Sequence, residues 1–126
     1  MSTYNKDYAE PCFNIIERVY HESDDLRRLG SAAVELAYLA AGRVELYFEI
    51  RLFPWDVAAA IPIVREAGGC FEVMFEEALL LERPMAILAA NSKEILKNCG
   101  RLYMKNYPSC RIKRRRTSNE HYNNFI

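Results

Sequence analysis

Asp56 follows Pro54-Trp55 and opens an apolar stripe at helical spacing, so its carboxylate stands where a helix begins. An acid at that place accepts hydrogen bonds from unpaired backbone amides and meets the positive end of the helix dipole. It can also ligate a hard divalent cation such as magnesium, which requires several oxygen ligands at once. Glu49 lies at the end of a predicted strand, where an ordinary acid is solvated, and Ser31 follows Gly30 where a helix cap is expected. The contiguous pairs Asp24-Asp25 and Glu76-Glu77 read as solvated acids rather than a metal cluster. Cys12, Cys70, Cys99 and Cys110 are far apart and form no CxxC pair, so reduced thiols are expected rather than zinc ligands or a disulfide framework.

The chain has 126 residues, with 51% hydrophobic and 27% charged, and its formal net charge is zero. That balance is globular, and the length fits one domain. The charge is unevenly placed: residues 105–126 hold six Lys or Arg against one Glu. The expected division is a domain over 1–104 and a basic, flexible tail over 105–126. The Arg111-Ile112-Lys113-Arg114-Arg115-Arg116 cluster has no interleaved aromatics, so a solvated tail is favoured over nucleic-acid binding. No apolar run is long enough to span a bilayer, and the opening MSTYNKDYAE lacks the hydrophobic core of a signal peptide. The expectation is a cytoplasmic protein with neither membrane nor nucleic-acid partner.

The elements that must position these residues follow from periodicity. Tyr8, Cys12, Phe13, Ile15, Ile16, Val19 and Tyr20 predict a helix over 6–20. A short strand over 25–29 leads through Gly30-Ser31 into an Ala-rich helix ending near Gly42. Residues 44–50 read as a strand, with Val44, Leu46 and Phe48 on one face and Glu45, Tyr47 and Glu49 on the other. Val57, Ala60, Ile61, Val64 and Ala67 mark a buried helix that Pro62 disturbs and Gly68-Gly69 ends. A strand over 70–74, a stretch over 75–83 that fits neither period, a buried strand over 85–89 and a last helix bearing Ile95, Leu96, Cys99, Leu102 and Tyr103 complete the chain. The alternation predicts an α/β layered sheet covered by helices.

Several strings in this order resemble the inositol monophosphatase family. They are Arg27-Arg28-Leu29-Gly30-Ser31-Ala32-Ala33, the helix string from Leu36 to Arg43, Tyr47-Phe48-Glu49, Pro54-Trp55-Asp56-Val57-Ala58-Ala59, Glu66-Ala67-Gly68-Gly69 and the ILAAN string ending at Asn91. The resemblance runs from about Tyr4 to Cys99 and implies the carboxyl-terminal half of the sugar-phosphatase fold. It implies that Asp56 binds magnesium near a substrate phosphate and that Glu49 contacts a substrate ring hydroxyl. Gly30, Ser31 and Ala32 match a turn whose main chain meets another hydroxyl. The family's chemistry is metal-assisted hydrolysis of a small phosphate monoester, in which bound ions polarise the phosphoryl oxygens and activate water.

The family's Gly-Glu and Asp-Pro-Ile/Leu-Asp-Gly-Thr segments, which hold most metal ligands, do not occur in these 126 residues. Ala60 stands where the family usually has Gly, Pro62 where it has another apolar residue, and Met74-Phe75-Glu76-Glu77 where it has an Asp-x-x-Gly turn. The expectation is therefore an incomplete hydrolase site with one magnesium ligand and no catalytic residue of its own, inactive alone. The alternative is a non-catalytic interaction module that pairs with a separate amino-terminal half or with itself. Which phosphate ester the parent enzyme prefers is left open, since inositol, histidinol, nucleotide and sugar phosphatases share this half.

Overall fold

Six consecutive apolar residues, Met85–Ala90, form a strand that is buried along its whole length. A run without polar alternation requires cover on both faces, and the computed structural model, which describes residue 6, residues 9–73 and residues 85–106, supplies it. In chain order the elements are α1 (Ala9–His21), α2 (Ala32–Ala40), β1 (Leu46–Leu52), α3 (Pro54–Val57), α4 (Ala60–Glu66), β2 (Cys70–Val73), β3 (Met85–Ala90) and α5 (Lys93–Asn106). The sheet order is β1-β3-β2, and β3 runs antiparallel to both neighbours. Ala86, Leu88 and Ala90 face Ile15 and Val19 of α1 and Leu96 and Cys99 of α5. Met85, Ile87 and Ala89 face Leu36 and Leu39 of α2 and Ala60 and Val64 of α4. The result is an α/β/α sandwich with two cores and one shared strand, in agreement with the predicted layered sheet.

The register of β1 shapes the site. Leu46, Tyr47, Phe48 and Glu49 pair in turn with Ala90, Ala89, Leu88 and Ile87, but the next pair is Leu52 with Met85, so β1 carries one extra residue. Leu46, Phe48 and Ile50 lie against the α1/α5 core, and the bulge returns Leu52 to the α2/α4 core beside Tyr47. Arg51 is left at the bulge, exposed. A bulge of this kind bends the strand and re-aims a side chain.

Several expectations change. Residues 25–29 form no strand and pair with no described strand. The predicted helix over 57–67 is two short helices, because Pro62 has no amide to donate to Ala58 and its ring crowds that carbonyl. On α1 the buried stripe is Cys12, Ile15 and Val19 alone, while Phe13 and Tyr20 are exposed. The stretch over 75–83, Glu76-Glu77, Cys110 and the cluster from Arg111 to Arg116 lie outside the described residues. Cys12, Cys70 and Cys99 are free thiols. Burial, with Glu22 adding, pushes the Cys99 thiol up to about 11, and burial followed by Glu49 also raises Cys12.

The end of α4 leads the chain directly into β2. The amide of Gly68 donates to Arg65 O at 2.9 Å and that of Gly69 to Val64 O at 2.8 Å, which ties off the last carbonyls of the helix. Gly68 has a φ of +83°, and a Cβ on Gly69 would stand 2.8 Å from Val64 Cγ1 and 3.0 Å from Val64 O. Gly69→Ala therefore forces the backbone of the turn away from a buried valine. It is expected to destabilise the chain by about 1–3 kcal/mol, read as a lower urea midpoint with an unchanged slope.

Candidate active-site cleft

Two separate stretches of sequence meet in one cleft of about 710 Å³: the turn around Gly30 and Ser31 with the start of α2, and the continuous segment that runs from β1 into the start of α3. Gly30 has a φ of +82°, which a residue with a Cβ rarely adopts. The turn is held from inside α2: Glu35 Oε1 accepts the amide of Leu29 at 2.6 Å and that of Gly30 at 2.9 Å. Ser31 occupies the position before α2, yet its hydroxyl makes no cap hydrogen bond. The predicted side-chain cap is therefore replaced by Glu35, which reaches back and binds the turn amides instead. Gly30, Ser31 and Ala32 line the cleft.

Glu49 faces the same space from β1 but is only 5% exposed, so it is a buried acid rather than a solvated strand residue. Its burial follows from the sandwich: the face of β1 that carries Tyr47 and Glu49 is packed by α2, whereas alternation within a single strand reads that face as solvated. Glu49 Oε1 accepts the amide of Ile50 at 3.0 Å. Such bonding satisfies part of a buried carboxylate, which has about four lone-pair sites.

Asp56 lies in the first turn of α3. Its Oδ2 accepts the amide of Phe53 at 2.9 Å, and its own amide donates to Phe53 O at 3.0 Å. The carboxylate thus does cap its own helix, and being half-buried it also lines the cleft. Phe53 and Trp55 also line the cleft; their rings stack with centroids 4.6 Å apart and planes 4° apart, and Trp55 is 65% exposed. Tyr47 also lines the cleft, with its hydroxyl held protonated by burial first and then by Glu49, Glu35 and Asp56.

Five residues singled out from the sequence, Gly30, Ser31, Ala32, Glu49 and Asp56, are thus brought to one place. Asp25 is not among the residues lining the cleft: its carboxylate takes the Leu26 amide and pairs with Arg27, and these two contacts, the amide first, hold its pKa below the usual range. Arg28, Glu35, Tyr47 and Arg51 also line the cleft but are not singled out by sequence reasoning. Glu35 stands four residues after Ser31, one helical turn on, and that spacing is the signal that could have found it. Tyr47 shares its strand face with Glu49, a second readable signal.

A magnesium ion needs about six oxygen ligands in near-octahedral array. Among the described residues no group of three or more His, Cys, Asp or Glu side chains is placed to hold a metal ion. Asp56, with Oδ2 engaged by Phe53, offers one carboxylate to such a site. These residues do not by themselves make a magnesium centre.

The inositol monophosphatase family model matches residues 2–105. The Nus factor SuhB of Escherichia coli K12 is 56% identical over 64 residues, which are 51% of this chain and 24% of that protein. Among solved structures, SuhB from Bartonella henselae aligns with a TM-score of 0.67 and 32% identity, covering 78% of this chain and 37% of the other. Inositol monophosphatase from Anabaena sp. PCC 7120 aligns with a TM-score of 0.61 and 37% identity, covering 79% and 36%. The chain spans about a quarter of the length of the curated relatives and a little over a third of the solved ones. With a family match over most of its length and the same fold around the cleft, the chain belongs to the inositol monophosphatase family.

Proposed function

We propose that this chain supplies the alcohol-facing side of a magnesium-dependent phosphate-monoester hydrolase site. Asp56 contributes one metal-directed carboxylate, Glu49 receives a substrate hydroxyl, and the main chain of Gly30, Ser31 and Ala32 meets another. The observation that carries this reading is the convergence of the Gly30-Ser31 turn and the β1–α3 segment on one cleft. A relative from Staphylococcus aureus, inositol monophosphatase-II, has been solved with inositol monophosphate and with 2'AMP bound, which supports a small phosphate monoester as the ligand class. Among the described residues no helix is long and apolar enough to cross a membrane. A cytoplasmic setting belongs to the proposal, in keeping with the free thiols of Cys12, Cys70 and Cys99.

One carboxylate leaves magnesium mostly hydrated and mobile. The 126-residue polypeptide alone is therefore expected to hydrolyse neither inositol 1-phosphate nor an aryl phosphate in millimolar magnesium. The assay compares it with Asp56→Asn. Magnesium-dependent turnover that disappears in Asp56→Asn would show a complete site within these residues and overturn the expectation.

A second reading rests on large apolar side chains left in solvent: Phe13 is 58%, Tyr20 55% and Ile63 53% exposed. In that reading the chain is a non-catalytic module that pairs with an amino-terminal half on another polypeptide or with a second copy. Such surfaces mark association when they are contiguous. Size-exclusion chromatography with light scattering separates the two, since a clean monomer at micromolar concentration counts against self-association.

A further inference from the structure

Tyr47 is 6% exposed and lines the cleft, and its ring packs in the core made by α2, α4 and β3. Its hydroxyl has no hydrogen-bond partner among the described residues. Burying an unpaired hydroxyl is costly, and a buried Tyr oxygen normally finds a partner. A phenylalanine ring would fill the same space without that cost. Tyr47 lines the cleft together with Glu49, Glu35 and Asp56, and these three carboxylates bring negative charge to its hydroxyl.

We infer that the Tyr47 hydroxyl is a ligand-binding group, which donates a hydrogen bond to one hydroxyl of a polyhydroxylated alcohol while that hydroxyl donates to Glu49. The inference rests on the reading of the cleft proposed above and adds a residue and a selectivity to it. Tyr47 and Glu49 are two apart on one face of β1, so their side chains rise about 7 Å from each other, a span that one ligand hydroxyl and its carbon can fill. Burial and the three carboxylates keep the phenol protonated, which makes it a donor. The same carboxylates repel an anionic oxygen at that point and favour a neutral hydroxyl, which accepts from Tyr47 and donates to Glu49. An alcohol that lacks a hydroxyl there leaves the Tyr47 hydroxyl unpaired in a buried place and is rejected for that reason.

Trp55 is the sole tryptophan and stands at the rim of this cleft, so its fluorescence reports on occupancy. The 126-residue chain, Tyr47→Phe and Glu49→Gln are titrated with myo-inositol, and the thermal midpoint of each is recorded without ligand. Tyr47→Phe is expected to weaken inositol binding about three- to tenfold, the effect of one hydrogen bond, while its midpoint stays level or rises. Inositol affinity equal to wild type in Tyr47→Phe, with Glu49→Gln weakened, overturns this inference and leaves the cleft reading standing. A midpoint several degrees lower in Tyr47→Phe also overturns it, because the hydroxyl would then be bonded within the protein. No saturable change in the wild-type chain removes the cleft reading and this inference together.

Discussion

Ile87→Ala is expected to remove about 2–5 kcal/mol of stability, the range for truncating a fully buried branched side chain, and to leave the chain largely unfolded at physiological temperature. Ile87 is 0% exposed on the central strand, paired across from Glu49 on β1 and from Val73 on β2. Its side chain fills the α2/α4 core with Leu36, Leu39 and Val64, so truncation leaves a cavity that β-strands held on both sides cannot close. Domains of this size have about 5–15 kcal/mol in total, so the loss is a large fraction. Urea unfolding followed by circular dichroism measures it. A midpoint within error of wild type would mean that β3 is not the shared strand of two cores.

The same residue shows how the fold supports the site. Glu49 is held against the cleft by its pairing with Ile87, and the bulge that follows leaves Arg51 beside it. If Glu49 receives a ligand hydroxyl as proposed, loss of packing under it is expected to weaken that binding as well as stability, and the two effects should move together in Ile87→Ala.

Much of this was readable from periodicity. The stripes on α1 and α5 repeat at helical spacing, α2 was marked by its alanines between Ser31 and Gly42, and the short continuous apolar run of β3 read as a buried strand. The alternation predicted correctly that Leu46 and Phe48 lie opposite Tyr47, but not that both faces are buried, and Val44, expected beside Leu46, precedes the strand and packs with Tyr47 in the α2/α4 core instead. Burial of Glu49 goes with the packing of α2 on β1, and α2 approaches from elsewhere in the chain. The bulge is invisible because it is defined by the partner strand, and the missing strand over 25–29 because pairing requires a neighbour. The break before Pro62 was foreshadowed by the proline itself.

In the site, Asp56, Glu49 and the turn at Gly30, Ser31 and Ala32 came from local strings, whose order along the chain is enough to single them out. Glu35 and Tyr47 were missed because their relevance is spatial. Glu35 matters through two backbone amides that it holds from the next helical turn, and Tyr47 through a hydroxyl with no partner inside the described fold. Ser31 carried the opposite lesson: its position is that of a cap, but the hydroxyl is not used as one.

The largest functional effect belongs to Asp56 in a completed site. When the matched part of the Anabaena inositol monophosphatase is replaced by this chain, the hybrid gains the remaining two-thirds of the fold while keeping the cleft described above. Metal-directed charge stabilisation amounts to several kcal/mol of barrier, and each 1.36 kcal/mol is tenfold in rate, so Asp56→Asn should lower turnover about 10³-fold or more. The decisive measurement is magnesium-dependent hydrolysis of inositol 1-phosphate by this hybrid with and without Asp56→Asn. Turnover in the hybrid that is lost on Asp56→Asn, while the thermal midpoint is kept within a few degrees, is the expected result. A folded, active hybrid whose turnover is unchanged by Asp56→Asn would contradict the assignment of this cleft as half of a phosphatase site.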